Sequence, residues 1–288
     1  MKKRPGPTLR SRKLAKELQT AREALGMSVR TLAKEVGLVP GTISKIENAR
    51  QAILVRHIKL FGRELGMSKS KIDQLVLIAA DDETDDWMVE FRDDIPEWFG
   101  TYVDLEPEAE EIWTYASEIV DGLVQTPDYA EAIVLAFFPD LSTSQMRRIV
   151  QVRRARQAIL DRPEPPHLRL VLNEAVVRRR VGDPRVMRDQ LLHLRALAER
   201  PNITLTLLPF EAGAHPAMKG SFTMLRFPEG FDDMDCVYLE NENGSVWHER
   251  SHEIGRYAEV FERIVKISLS EADTVAWLDS LVKSCEST

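Results

Sequence analysis

The chain has 288 residues, 43% of them hydrophobic and 30% charged, with a net charge of −7. That balance fits a soluble globular chain with room for one small and one ordinary domain, and it argues against a DNA coat protein or a polybasic membrane binder. The longest apolar runs, such as residues 132–138, fall far short of the roughly 20 residues of a bilayer span, and no apolar signal segment follows the basic start.

Residues 9–25 carry Leu14, Leu18, Ala21 and Leu25 at three- and four-residue steps, which predicts an amphipathic helix ending at Gly26. Ser28 is the candidate N-cap of a second short helix, whose inner stripe is Leu32, Ala33 and Val36. A tight turn at Gly37 and the segment Leu38-Val39-Pro40 lead into a third helix with Ile43 and Ile46 inside. Small residues, Ala33 and Gly37, stand where the two axes cross. This is the layout of a helix-turn-helix, whose second helix enters the DNA major groove. Residues 54–65 and 68–80 supply two more helices, giving a compact all-α domain over 9–80.

Charge points the same way. The first 56 residues hold thirteen Lys and Arg against four acids, a local +9 that leaves −16 on the remainder. Attraction for phosphate is confined to one end of the chain.

Residues 9–80 resemble the Xre, or lambda-repressor-like, family of DNA-binding domains through Leu32-Ala33, Val36-Gly37 and Ile43-Ser44-Lys45-Ile46-Glu47. The resemblance implies that Arg22 clasps Glu47, and that base-reading positions fall on Pro40, Gly41 and Lys45. Pro40 and Gly41 present no polar side chain, which shifts weight to Thr42, Ser44, Lys45 and DNA shape. Asn48 and Arg50 are expected to position the phosphate backbone. With Arg30 and Thr31, these nine residues form the candidate DNA-binding set. The glycine common after the Glu-Asn pair is Ala49 here.

From Asp81 to Glu118 there are fifteen acids, and Arg92 is the sole basic residue. Residues 81–97 read as an acidic linker that like-charge repulsion keeps off DNA. The spaced Asp/Asn and Gly of a calcium loop are missing.

A second domain is expected over 98–284. Residues 107–120 and 127–138 read as helices, and 142–161 as a long helix capped by Ser142, carrying Arg147, Arg148, Arg153, Arg154 and Arg156. His167–Asn173 reads as a strand with alternating leucines, followed by a helix at 184–199 and strands at 203–208 and 222–227. Residues 236–240 and 245–249 flank Asn241-Glu242-Asn243-Gly244, a hairpin turn signal. Helices at 251–267 and 270–284 complete an α+β order.

This region resembles the C-terminal domain of actinobacterial Xre-type regulators, including the WhiJ-like ones, a domain long labelled of unknown function. The resemblance rests on residues 122–130 (Gly-Leu-Val-Gln-Thr-Pro-Asp-Tyr-Ala), 153–157, 173–179, 208–210, Gly213-Ala214-His215-Pro216 and Gly220-Ser221-Phe222. It implies a transcriptional regulator often encoded beside a small partner protein, in an antitoxin-like arrangement.

Glu174, His215 and Asn173 would make a hydrolytic or metal site only if the fold joins them. No nucleophile elbow, zinc-protease motif or phosphate-cradling loop accompanies them, and Cys236 and Cys285 lack metal-ligand spacing, so free thiols in a reducing cytoplasm are the default. His248 and His252 are a weaker pair, His248 ending a strand. No catalytic residue, metal ligand or cofactor is therefore assigned.

The expected function is sequence-specific binding of double-stranded DNA at an inverted repeat, by a cytoplasmic, nucleoid-associated homodimer without membrane contact. The C-terminal domain is expected to dimerise and to sense a small cognate protein or a ligand. The alternatives are an antitoxin that mainly sequesters that protein, and an enzyme that regulates its own expression.

Overall fold

The computed structural model describes residues 9–51, 53–80 and 95–286. The chain divides into two compact units, Met1–Arg92 and Asp93–Thr288. The acidic linker expected at 81–97 lies outside the described residues up to 94. The first unit is all-helical, and the second is a larger α+β domain.

The first unit contains α1 (Leu9–Ala24), α2 (Val29–Glu35), α3 (Pro40–Glu47), α4 (Val55–Glu64) and α5 (Lys69–Ala80). Leu14, Leu18, Leu32, Ala33, Ile43, Ile46, Ile58, Phe61 and Leu75 form its core. Leu25, expected on the inner stripe of α1, lies past the helix end and is exposed. α2 starts where the Ser28 hydroxyl accepts from Thr31 N at 3.0 Å.

One device ends four of these helices. After α2, Leu38 N reaches Ala33 O and Gly37 N reaches Lys34 O, with Gly37 at φ 69°. This is a Schellman cap, in which a left-handed residue returns two amides to the last turn. Gly26 and Gly66 do the same after α1 and α4. After α3 the position falls to Ala49, at φ 52°. Arg50 N bonds Lys45 O, and Ala49 N bonds Ile46 O. The loop keeps its shape without its usual glycine.

The second unit opens with α6 (Glu97–Leu105) and runs on through β1 (Glu111–Ala116), α7 (Pro127–Phe137), α8 (Thr143–Gln157) and β2 (His167–Asn173). Then follow α9 (Glu174–Arg178), α10 (Pro184–Leu197), β3 (Ile203–Leu208) and β4 (Phe222–Arg226). The hairpin β5 (Cys236–Asn241) and β6 (Gly244–His248) precedes α11 (Ser251–Ile267) and α12 (Glu271–Glu286). The strands form one sheet in the order β3-β2-β1-β4-β5-β6. β1, β2 and β3 are parallel, and β4 to β6 are antiparallel.

Helix was expected over 107–120, and the structure corrects this: a short turn at 106–108 leads directly into β1. The Glu- and Ala-rich start favours helix, but Ile112 to Ala116 are buried on both faces of a central strand, where tertiary packing decides. The turn of helix α9 was not anticipated either.

On one face of the sheet, Trp113, Tyr115, Val171, Phe222, Met224 and Val237 pack against Phe261 and Ile264 of α11. On the other, Tyr238 meets Tyr102 of α6, ring centroids 4.5 Å apart. The β3 edge is closed: Leu207 N donates to Thr274 Oγ1, and Leu269 N donates to Leu207 O.

Candidate functional site

The orientation of α3 follows from its buried side. Ile43, Ile46 and Glu47 point inward. Glu47 is fixed by Arg22, whose Nε and Nη2 donate to its two carboxylate oxygens at 2.7 and 2.9 Å. Arg22 also donates to Met27 O at 2.7 Å, so one guanidinium ties α1, the loop before α2 and α3 together. The bond to Glu47 holds the Arg22 proton more firmly than usual. The clasp implied by the resemblance is present.

With that side buried, positions 41, 44, 45 and 48 share the opposite side by helical spacing. Gly41, Ser44, Lys45 and Asn48 are exposed, as is Pro40 at the start, while Thr42 is half-buried. Arg30, Thr31 and Arg50 are exposed at the flanks. Thr31 Oγ1 lies 2.7 Å from Ser28 Oγ, so this hydroxyl belongs to the cap as much as to the surface. Asn48 Nδ2 donates one of its two hydrogens to Ser44 O at 2.7 Å, tying the side chain to the helix end. The amide has a second N–H, which can donate to a phosphate while the bond to Ser44 O is kept.

Val39, outside the expected set, is 66% exposed immediately before α3.

In the second unit, two of the sequence motifs converge. Gln157 Nε2 donates to Gly122 O and Gln125 O, and Gln125 Nε2 donates to Val120 O. Arg153 bonds the Gln125 side chain. Arg156 forms a two-pronged pair with Glu106 at 2.8 and 2.7 Å and lies over the Phe99 ring. Gly122 lies against this guanidinium: a Cβ there would meet Arg156 at 3.4 Å, about van der Waals contact. Burial, with Arg156 alongside, pushes Arg153 down to about 10. Burial would lower Arg156 too, but Glu106 outweighs it and raises it. Of the arginine row, Arg153 and Arg156 are interior clasps, and Arg147, Arg148 and Arg154 are exposed.

Asn173, Glu174 and His215 are not joined as a catalytic set. Asn173 Nδ2 donates to the Tyr115 hydroxyl at 3.3 Å, and Tyr115 meets the His215 ring edge-on. Glu174 is engaged by Phe210 N at 2.7 Å and by Arg178. His248 ends β6 as expected and faces Glu253 at 3.4 Å. Among the described residues no cluster of His, Cys, Asp and Glu is arranged to hold a metal, and no helix is long and apolar enough to cross a membrane.

Two family models match the chain. A helix-turn-helix model covers residues 18–72. A model described as a domain of unknown function, DUF5753, covers residues 99–280. No curated protein and no solved structure matches.

Proposed function

The chain belongs to the DUF5753 family and carries a DNA-binding helix-turn-helix head, and on that premise we propose that it is a transcriptional regulator acting by binding without chemistry. The observation that carries this reading is the outward side of α3, held in place by the buried Arg22–Glu47 pair and bearing Lys45, Ser44 and Thr42. Two copies associate through the second unit and set two α3 helices in successive major grooves about 34 Å apart, on an inverted repeat. Pairing supplies the specificity that one small head lacks.

Lys45 and the hydroxyls of Thr42 and Ser44 read base edges, Val39 meets a thymine methyl, and Arg30 and Arg50 position phosphates. Pro40 and Gly41 keep the front of α3 slim and leave part of the specificity to DNA shape. The motifs shared with WhiJ-like regulators of actinobacteria favour a cytoplasmic protein whose second unit senses a small cognate protein or a ligand.

Genome-wide mapping of bound sites, repeated with Lys45→Ala, tests the assignment. Loss of a good base contact costs about 1–3 kcal/mol, so occupancy of the strongest sites falls and the recovered motif relaxes at one position per half-site. Unchanged occupancy would refute the placement of α3.

A further inference from the structure

Helices α7 and α8 are joined by residues 138–142 and pack against each other, an antiparallel hairpin with an apolar tip. Leu135, Phe137 and Phe138 are 42%, 57% and 56% exposed, and the two phenylalanine rings meet edge-on. The inner side of α7 is already filled by Tyr129, Ala130, Ile133 and Val134, so the tip residues are surplus to the core. An apolar cluster of this kind marks a surface that a partner covers.

The outer sides of the two helices carry opposite charge. α7 has Asp128 and Glu131 and no basic residue, while α8 has arginines and no acid. Arg153 and Arg156 serve the interior, but Asp128, Glu131, Arg147 and Arg154 are all exposed. None of these four is held in an ion pair among the described residues. Asp128, Glu131, Leu135 and Phe138 follow one another at steps of three, four and three residues, one stripe along α7 that ends in the tip. Arg147 and Arg154, seven residues apart, share one side of α8. Because the helices run in opposite directions, Asp128 and Arg154 lie far from the tip, and Glu131 and Arg147 lie nearer to it.

We propose that this hairpin is the surface through which two copies of the chain pair, with a two-fold axis running along its length. Under that axis tip meets tip, and α7 of each copy lies over α8 of the other. Asp128 then faces Arg154 of the second copy, and Glu131 faces its Arg147. Every contact occurs twice, as an isologous interface requires. An occupant of a single charge sign would suit one helix and be repelled by the other, whereas a second copy brings both stripes in complementary order. The apolar tip supplies affinity and the stripes fix the register. This names the surface for the pairing of the second units and rests on that reading.

The test weighs the full chain by sedimentation equilibrium. The wild type is expected to dimerise, and Phe138→Asp to raise the dissociation constant by about thirtyfold or more, the effect of losing one apolar anchor. Asp128→Lys with Glu131→Lys sets like charges against α8 in both halves of the dimer. Arg147→Glu with Arg154→Glu does the same with the other sign. Each double variant alone is expected to stay monomeric where the wild type pairs, and an equal mixture of the two to recover the dimer. All the substituted side chains are exposed, and recovery in the mixture shows that both variants are folded. Double variants with wild-type circular dichroism that stay monomeric when mixed overturn the facing of α7 on α8. A dimer that survives every variant overturns the inference alone and leaves pairing to another surface. A monomeric wild type leaves the hairpin to another occupant and overturns the inference together with the pairing reading.

Discussion

Ala49 holds a conformation that three of the four equivalent helix ends in the head give to glycine. A left-handed residue with a Cβ costs about 1–2 kcal/mol, partly offset because alanine loses less backbone freedom than glycine on folding. Ala49→Gly is therefore expected to stabilise the head by about 0.5–1 kcal/mol, read as a rise in its thermal midpoint. A fall would mean that contacts of the Ala49 methyl with the head core outweigh the strain. The neighbouring clasp works in the opposite sense. Glu47→Ala takes the two-pronged partner from the Arg22 guanidinium, 8% exposed, and leaves it the exposed Glu23 at 3.3 Å and the Met27 carbonyl. Removing one partner of a buried pair costs about 3–5 kcal/mol, so the head should unfold well below the second unit. A single unshifted transition would show that the pair is dispensable. Sequence exposed this pair only through the family resemblance, because a separation of 25 residues has no local periodicity.

The elements that sequence made legible were those whose local chemistry agrees with their packing. β2, β3, α7 and the β5–β6 hairpin all appear within about two residues of where leucine alternation, Pro127 and the turn at 241–244 put them, and α8 starts after Ser142 as expected but gives way to a 3-10 turn at 158–161. β1 was misread because its flanking glutamates favour helix, while its strand character comes from β2 and β4 on either side. The site on α3 was legible because it lies within a few residues. The Tyr115–Asn173–His215 grouping was not, since its members come from three separate loops and strand ends. The same non-local logic protects the sheet. Thr274, fully buried, is the acceptor for Leu207 N on the edge strand. Thr274→Val keeps the shape and orphans that amide, at an expected cost of about 1–3 kcal/mol in denaturant unfolding. An unchanged midpoint would show that the edge finds another partner.

At the scale of the whole molecule, charge and symmetry make the remaining demand. The excess of positive charge lies in the first 56 residues, while the remainder is strongly negative. DNA is therefore gripped by the head, and binding weakens steeply with salt as condensed counterions are released. The proposed dimer adds a geometric condition that a monomer does not meet. Two α3 helices on one rigid pair demand half-sites on the same face of the duplex, 10–10.5 base pairs apart or a multiple of that. On an operator recovered by genome-wide mapping, inserting about five base pairs between half-sites turns one of them to the far side. Affinity should then fall toward that of a single half-site. Inserting about ten should restore much of it, less the penalty for stretching the pair. The measurement is a set of binding isotherms at fixed salt on the three spacings. Equal affinities would mean that each head binds alone or through a freely hinged connection, and pairing through the second unit would then contribute nothing to specificity.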